Sequence, residues 1–131
     1  MSPKDEVYFV DPENSPSFVL KGIRIEQLLP REACRQFSAY RVHIQPGEVK
    51  KASFHKNGEE LYYVVAGLGS ATLGEKDYAL RPGCFFRVPP GVLHAFKAEG
   101  EALDLLNFHS PPVFSDHDTY FPDDSSEAVS T

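Results

Sequence analysis

The 131-residue chain has no apolar run approaching the roughly 20 residues that a helical membrane span requires, and no such span is expected. Positive charge is also scarce: 13 Lys and Arg stand against 19 Asp and Glu, for a formal net charge of −6 and a pI near 5.3. Nothing supplies the clustered cations that displace counterions from a phosphate backbone, so nucleic acid is not expected as a partner. The first residues, MSPKDEVYFV, lack the basic and apolar regions of a secretory signal, and a cytoplasmic location is expected. Cysteine is limited to Cys34 and Cys84, in no C-x-x-C arrangement, which argues against a disulfide scaffold or a thiolate zinc site. Both are read as reduced, packed thiols. Helical periodicity and internal repeats are missing as well.

What remains is the pattern of a β protein. The 41% hydrophobic and 24% charged content suits one globular domain with a single core. Eleven prolines and nine glycines punctuate short segments rich in Val, Tyr, Phe, Leu and Ile. Strands are predicted over 6–10, 18–28, 36–45, 49–56, 59–66, 69–73, 77–81, 84–88, 94–98 and 102–109. Turn signals fall between them at QPG, NG, GEKD, RPG, PPG and EG. Only LLPREACRQF, residues 28–37, holds a helical turn, which Pro30 keeps short. This regular spacing predicts an all-β closed barrel or two-sheet jelly roll. An extended arm is expected over 1–17, the barrel over 18–115 and an acidic tail over 116–131, with about the last eight residues disordered.

Two segments carry candidate chemistry. In ASFHKNGEELYYVVAGLG, residues 52–69, Asn57-Gly58 is the signature of a two-residue hairpin turn. That register pairs His55 with Glu60 and Ser53 with Tyr62 on one face, and Lys56 with Glu59 on the other. An imidazole beside a carboxylate can share a metal, move protons, or simply form a solvated pair. Lys50, Lys51 and Lys56 flank this stretch and either attract an anionic substrate or solvate a strand edge. In GCFFRVPPGVLHAFKAEG, residues 83–100, a rigid PPG corner precedes His94. A tight turn at Glu99-Gly100 would then place His94, Phe96 and Ala98 on one face with Leu103, Leu105, Asn107 and His109. That face is apolar with polar groups at one end, as in a ligand pocket. The strand rise puts His109 about 13 Å from the position opposite His94, at the pocket mouth. In YRVHIQPG, alternation places Tyr40, Val42 and Ile44 inside and His43 outside, while His117 is expected in solvent.

Together the segments resemble the cupin family, whose motifs are G-x5-H-x-H-x3,4-E-x6-G and G-x5-P-x-G-x2-H-x3-N. The first reads Gly47, Ser53, His55, Glu60, Gly67 and the second Gly83, Pro89, Gly91, His94, Ala98, with 15 residues between them. Ser53 stands where the family has a histidine and Ala98 where it has an asparagine. The resemblance covers about residues 38–110 and implies a small antiparallel β-barrel, a homodimer, and a divalent metal held by His55, Glu60 and His94. Two histidines and one carboxylate with open positions suit Fe, Mn, Ni, Co or Zn. Neutral Ser53 is a poor ligand and leaves room for water or substrate. FHSPP, residues 108–112, resembles the strand end of small cupins acting on sugar acids, where residues at the positions of Asn107 and His109 touch substrate.

Three functions follow as expectations. The first is a metal-dependent enzyme on a small sugar acid or keto acid, an isomerase or lyase working by Lewis-acid polarisation and proton transfer. In it Tyr62 or His109 carries the proton, and Ser53, Phe96 and Asn107 line the pocket. The second is a non-haem Fe(II) oxygenase using the same three ligands, and the third a non-enzymatic barrel that binds a small ligand.

Overall fold

The computed structural model describes residues 2–114 and 118–122. The predicted disordered end and His117 lie outside the described residues. Ten strands follow in order: β1 (Ser17–Leu20), β2 (Ile23–Gln27), β3 (Ser38–Ile44), β4 (Val49–Ser53), β5 (Glu59–Ala66), β6 (Gly69–Leu73), β7 (Lys76–Leu80), β8 (Phe85–Val88), β9 (His94–Ala98) and β10 (Leu103–Ser110). They form two antiparallel sheets, one of six strands in the order β1-β2-β3-β10-β5-β8 and one of four in the order β4-β9-β6-β7. The sheets close face to face as an all-β barrel.

Alternation explains which residues fill it. In β5 the buried positions are Glu60, Tyr62 and Val64, and in β10 they are Leu103, Leu105, Asn107 and His109. Ile44, Val64, Leu103 and Leu105 are fully enclosed, and each contributes about 1.5–3 kcal/mol by leaving water. Polar groups occupy the same inward stripe only toward one end, where no water is available to solvate them, so they must satisfy one another. Two close backbone approaches require glycine. A Cβ on Gly67 would lie 1.9 Å from the Ala102 carbonyl oxygen, and one on Gly69 would lie 2.2 Å from that of Lys97.

Several expectations change. Residues 6–10 form no strand, and Val7 and Phe9 are exposed because no neighbouring strand pairs with them. The span 18–28 is a hairpin of two strands, reversed at Lys21 and Gly22, both at positive φ. A Lys-Gly pair carries a weaker turn signal than Asn-Gly, which is why the reversal reads as continuous strand. The helical turn is a single 3-10 turn over Arg31–Ala33, with Pro30 as its N-cap. Cys34 and Cys84 are free, as expected. In β3, Tyr40, Val42 and Ile44 face inward, while His43 bonds Glu26 at 2.6 Å.

The larger correction concerns both hairpins. β4 pairs with β9 and β5 with β10 and β8, so neither Asn57-Gly58 nor Glu99-Gly100 closes a hairpin. After Ser53 the chain leaves its sheet. The Asp118 carboxylate takes the amides of Lys56 and Asn57 at 2.8 and 3.1 Å, and Phe54 pairs in a bridge with Tyr120. A distant carboxylate thereby replaces the local turn, and the chain crosses from one sheet to the other.

Candidate metal centre

Three cross-strand pairs, two from one sheet and one from the other, face each other across the barrel. In the six-stranded sheet Glu60 lies opposite His109, and Tyr62 lies opposite Asn107. In the four-stranded sheet Ser53 lies opposite His94. His55 enters from the crossing segment. The outcome is a cluster around one carboxylate: Glu60 Oε1 is 2.9 Å from His55 Nε2 and 2.8 Å from His94 Nε2, while Oε2 is 2.6 Å from His109 Nε2. All four side chains are buried. The pairing of His55 with Glu60 is thus found in space, though the two residues do not share a strand ladder. His109 is not at the pocket mouth: β10 pairs with β5 rather than β9, which brings it directly beside Glu60.

The two carboxylate oxygens differ in chemistry. Oε2 accepts hydrogen bonds from the Tyr62 hydroxyl at 2.6 Å and from Asn107 Nδ2 at 3.0 Å. Among the described residues, Oε1 has no hydrogen-bond donor and His94 Nε2 has no hydrogen-bond partner. His55 Nδ1 donates to the Asp118 carbonyl at 2.6 Å and His94 Nδ1 to the Val92 carbonyl at 3.2 Å. A carbonyl can only accept, so Nδ1 of each ring carries a proton, and an Nε2 that carries none points a lone pair at Oε1. Two lone pairs aimed at an anionic oxygen repel unless a cation lies among them. Ligands about 2.1 Å from a divalent ion sit roughly 3–3.5 Å from one another, and each histidine Nε2 lies slightly closer than that to a Glu60 oxygen. Among the described residues, the group whose ligand atoms all lie within 4.8 Å of one another is His55, Glu60 and His109, a set with the composition to hold an ion. His94 is not part of that group, although its Nε2 is 2.8 Å from Oε1.

Burial opposes ionisation of Glu60, but His94 and His109, with hydrogen bonds from the surrounding side chains, hold its carboxyl well below the usual range. Burial pushes His94 and His109 down and keeps them neutral, against the pull of Glu60. Burial, reinforced by Glu60, lifts Tyr62 well above an ordinary phenol, so it keeps its proton. Stacking fixes that phenol, since its ring packs 5.0 Å from Phe86 and 4.9 Å from Phe96.

The sequence is compatible with Lys50 either in solvent or at the site. The ladder of β4 against β9 matches Lys50 with Phe96 but Ser53 with His94, one residue more on β4 than on its partner. This bulge restores the parity that a three-residue spacing would break. Both side chains face inward, with Lys50 Nζ 2.9 Å from Ser53 Oγ and 5.6 Å from the Phe96 ring centre. Desolvation lowers the ammonium to about 8, partly offset by Glu60. Lys50, Ser53, His55, Glu60, His94 and Asn107 share one cavity.

The sequence profile described as a cupin domain matches residues 40–108, more than half of the chain. The protein is a member of the cupin family. No curated protein matches the sequence significantly. Among solved structures, this cupin is similar to KdgF from Halomonas sp., with a TM-score of 0.72 and 21% identity over 81% of this chain and 94% of that one. Pac13 from Streptomyces, described as a nucleoside dehydratase, superposes with a TM-score of 0.71 at 20% identity over 87% and 89%. A predicted oxalate decarboxylase from Thermotoga maritima gives 0.71 and 20% over 79% and 98%. At these identities the likeness establishes the fold. No helix among the described residues is long and apolar enough to cross a membrane.

Proposed function

We propose that this cupin is a metal-dependent enzyme acting on a small sugar acid or keto acid, an isomerase or lyase that moves a proton beside a polarised carbonyl. The observation that carries it is the buried Glu60 Oε1, without a donor and faced by the Nε2 lone pairs of His55 and His94. In this reading His55, Glu60 and His94 hold the ion. When bound it supplies Lewis acidity toward a substrate oxygen. The rest falls to the chain. Tyr62 and Asn107 fix Oε2 and so aim Oε1. His109, neutral and bonded to Oε2 through Nε2, carries the proton, while Tyr62 orients because its phenol holds its own. Phe96 and Phe86 keep water from the reacting end.

The cavity favours the smaller candidates. Its free space is about 80 Å³, against roughly 10–15 Å³ for a single water, which suits a ligand of a few heavy atoms. The names of two structural neighbours, a predicted oxalate decarboxylase and a nucleoside dehydratase, are compatible with small-acid and elimination chemistry in this fold. The composition of two histidines and one carboxylate supports an Fe(II) oxygenase as the second reading. Consumption of O2 in step with product would favour it, and turnover under strict anaerobiosis would remove it.

The test is elemental analysis of wild type, His94→Ala and His109→Ala, purified without added metal or chelator. Near-stoichiometric metal is expected in wild type and in His109→Ala, with at least a tenfold loss in His94→Ala. Metal lost from His109→Ala but kept in His94→Ala would move the site to His55, Glu60 and His109. An empty wild type that takes up no Fe, Mn, Ni, Co or Zn would remove the metal reading.

A further inference from the structure

A charged ammonium inside a protein normally has a carboxylate beside it, because burying the charge alone is costly. Lys50 does not follow that rule. It is partly buried and faces the cavity, and its hydrogen bonds go to Ser53 Oγ and, at 3.4 Å, to its neighbour's carbonyl. Among the described residues no carboxylate lies within ion-pair distance of it. The bulge in β4 is what turns it inward, and Ser53 is what leaves it space: a histidine at 53 would put an imidazole where the ammonium now meets a hydroxyl. Phe96, its cross-strand neighbour, supports the cation with its ring face.

We propose that Lys50, positioned by Ser53, is the subsite for the carboxylate of the substrate, a fixed cation that selects small organic acids over their neutral counterparts. This rests on the proposed reaction for its substrate class but not on the metal. The incoming anion supplies the partner the ammonium lacks, and the Ser53 hydroxyl donates a second hydrogen bond while its oxygen accepts from Nζ. The departure of the cupin motif at residue 53 then exchanges a ligand position for a recognition position.

Pyruvate and pyruvamide, nearly equal in shape and differing in charge, test this by calorimetry on wild type, Lys50→Met and Lys50→Gln, each in metal-loaded and chelator-stripped form. Wild type is expected to bind pyruvate at least tenfold more tightly than pyruvamide, and both variants to bind the two within about twofold. Metal content is expected to stay unchanged in the variants. Lys50→Gln decides the matter should Lys50→Met fail to fold. A preference that survives in the variants, no preference in wild type, or no pyruvate binding at millimolar concentration would each overturn the proposal. An anion preference that depends on Lys50 in a protein that binds no metal would leave it standing and remove the proposed reaction instead.

Discussion

Glu60 is the residue on which the site turns, and its two oxygens have separate tasks. Oε2 is saturated by Tyr62, Asn107 and His109, while Oε1 is left to two lone pairs. The same burial sets how the metal-free protein responds to acid. Glu60 titrates lower folded than unfolded, so its contribution is present above the ordinary carboxylate pKa and lost as pH falls through the folded value. His94 and His109 are also lowered, so the unfolded chain takes up protons first, and stability falls as pH drops below about 6.5. Lys50 acts in the same direction at higher pH. Between about 8 and the ordinary lysine value the unfolded chain holds more protons, so stability rises with pH. Thermal melts of chelator-treated protein should therefore climb from pH 5 to 7 and again from 8 to 10. Lys50→Met should flatten the second rise; a slope equal to wild type would place Lys50 in solvent.

At the scale of elements, the C-terminal stretch from Asp118 to Phe121 anchors the segment that carries His55. The Asp118 carbonyl holds Nδ1, its carboxylate holds two amides, and Phe121 is buried. A chain ending at residue 117 keeps every candidate ligand yet should bind metal some 10–100-fold more weakly. Isothermal titration would measure this, and equal affinity would mean that His55 is oriented by something else. Strands β3 to β10 followed from alternation and turn residues, and the motif spacing placed His55, Glu60 and His94 together. Their pairing did not follow. Asn57-Gly58 promises a hairpin on local grounds, and only a carboxylate some 60 positions away withdraws it. Lys50 was ambiguous for a related reason, since one inserted residue reverses the face of everything beyond it and leaves no trace in composition. His109 reads as distant from the cluster because sequence order pairs β10 with β9, the strand before it, whereas the fold pairs it with β5.

At the scale of the whole molecule, the cluster around Glu60 draws its side chains from three places. Glu60 and His109 belong to the six-stranded sheet, His94 to the four-stranded one, and His55 to the crossing between them. Binding that needs all of these in place favours the folded state alone. At a hundredfold excess over the dissociation constant it adds about 2.7 kcal/mol, a rise in Tm on the order of 10 °C. A melt with and without the metal found by elemental analysis would measure it, and an unchanged Tm would mean that the ion sits on the surface.

An ion at Glu60 would act as a clasp between two layers that pack face to face. The stretch from β4 through β5 looks in sequence like a self-sufficient binding hairpin, but as an isolated peptide it would have no reason to hold metal. Its partners arrive only when the opposite layer closes. Metal loading is therefore a gauge of closure: a preparation carrying half an equivalent can be half misfolded rather than half stripped.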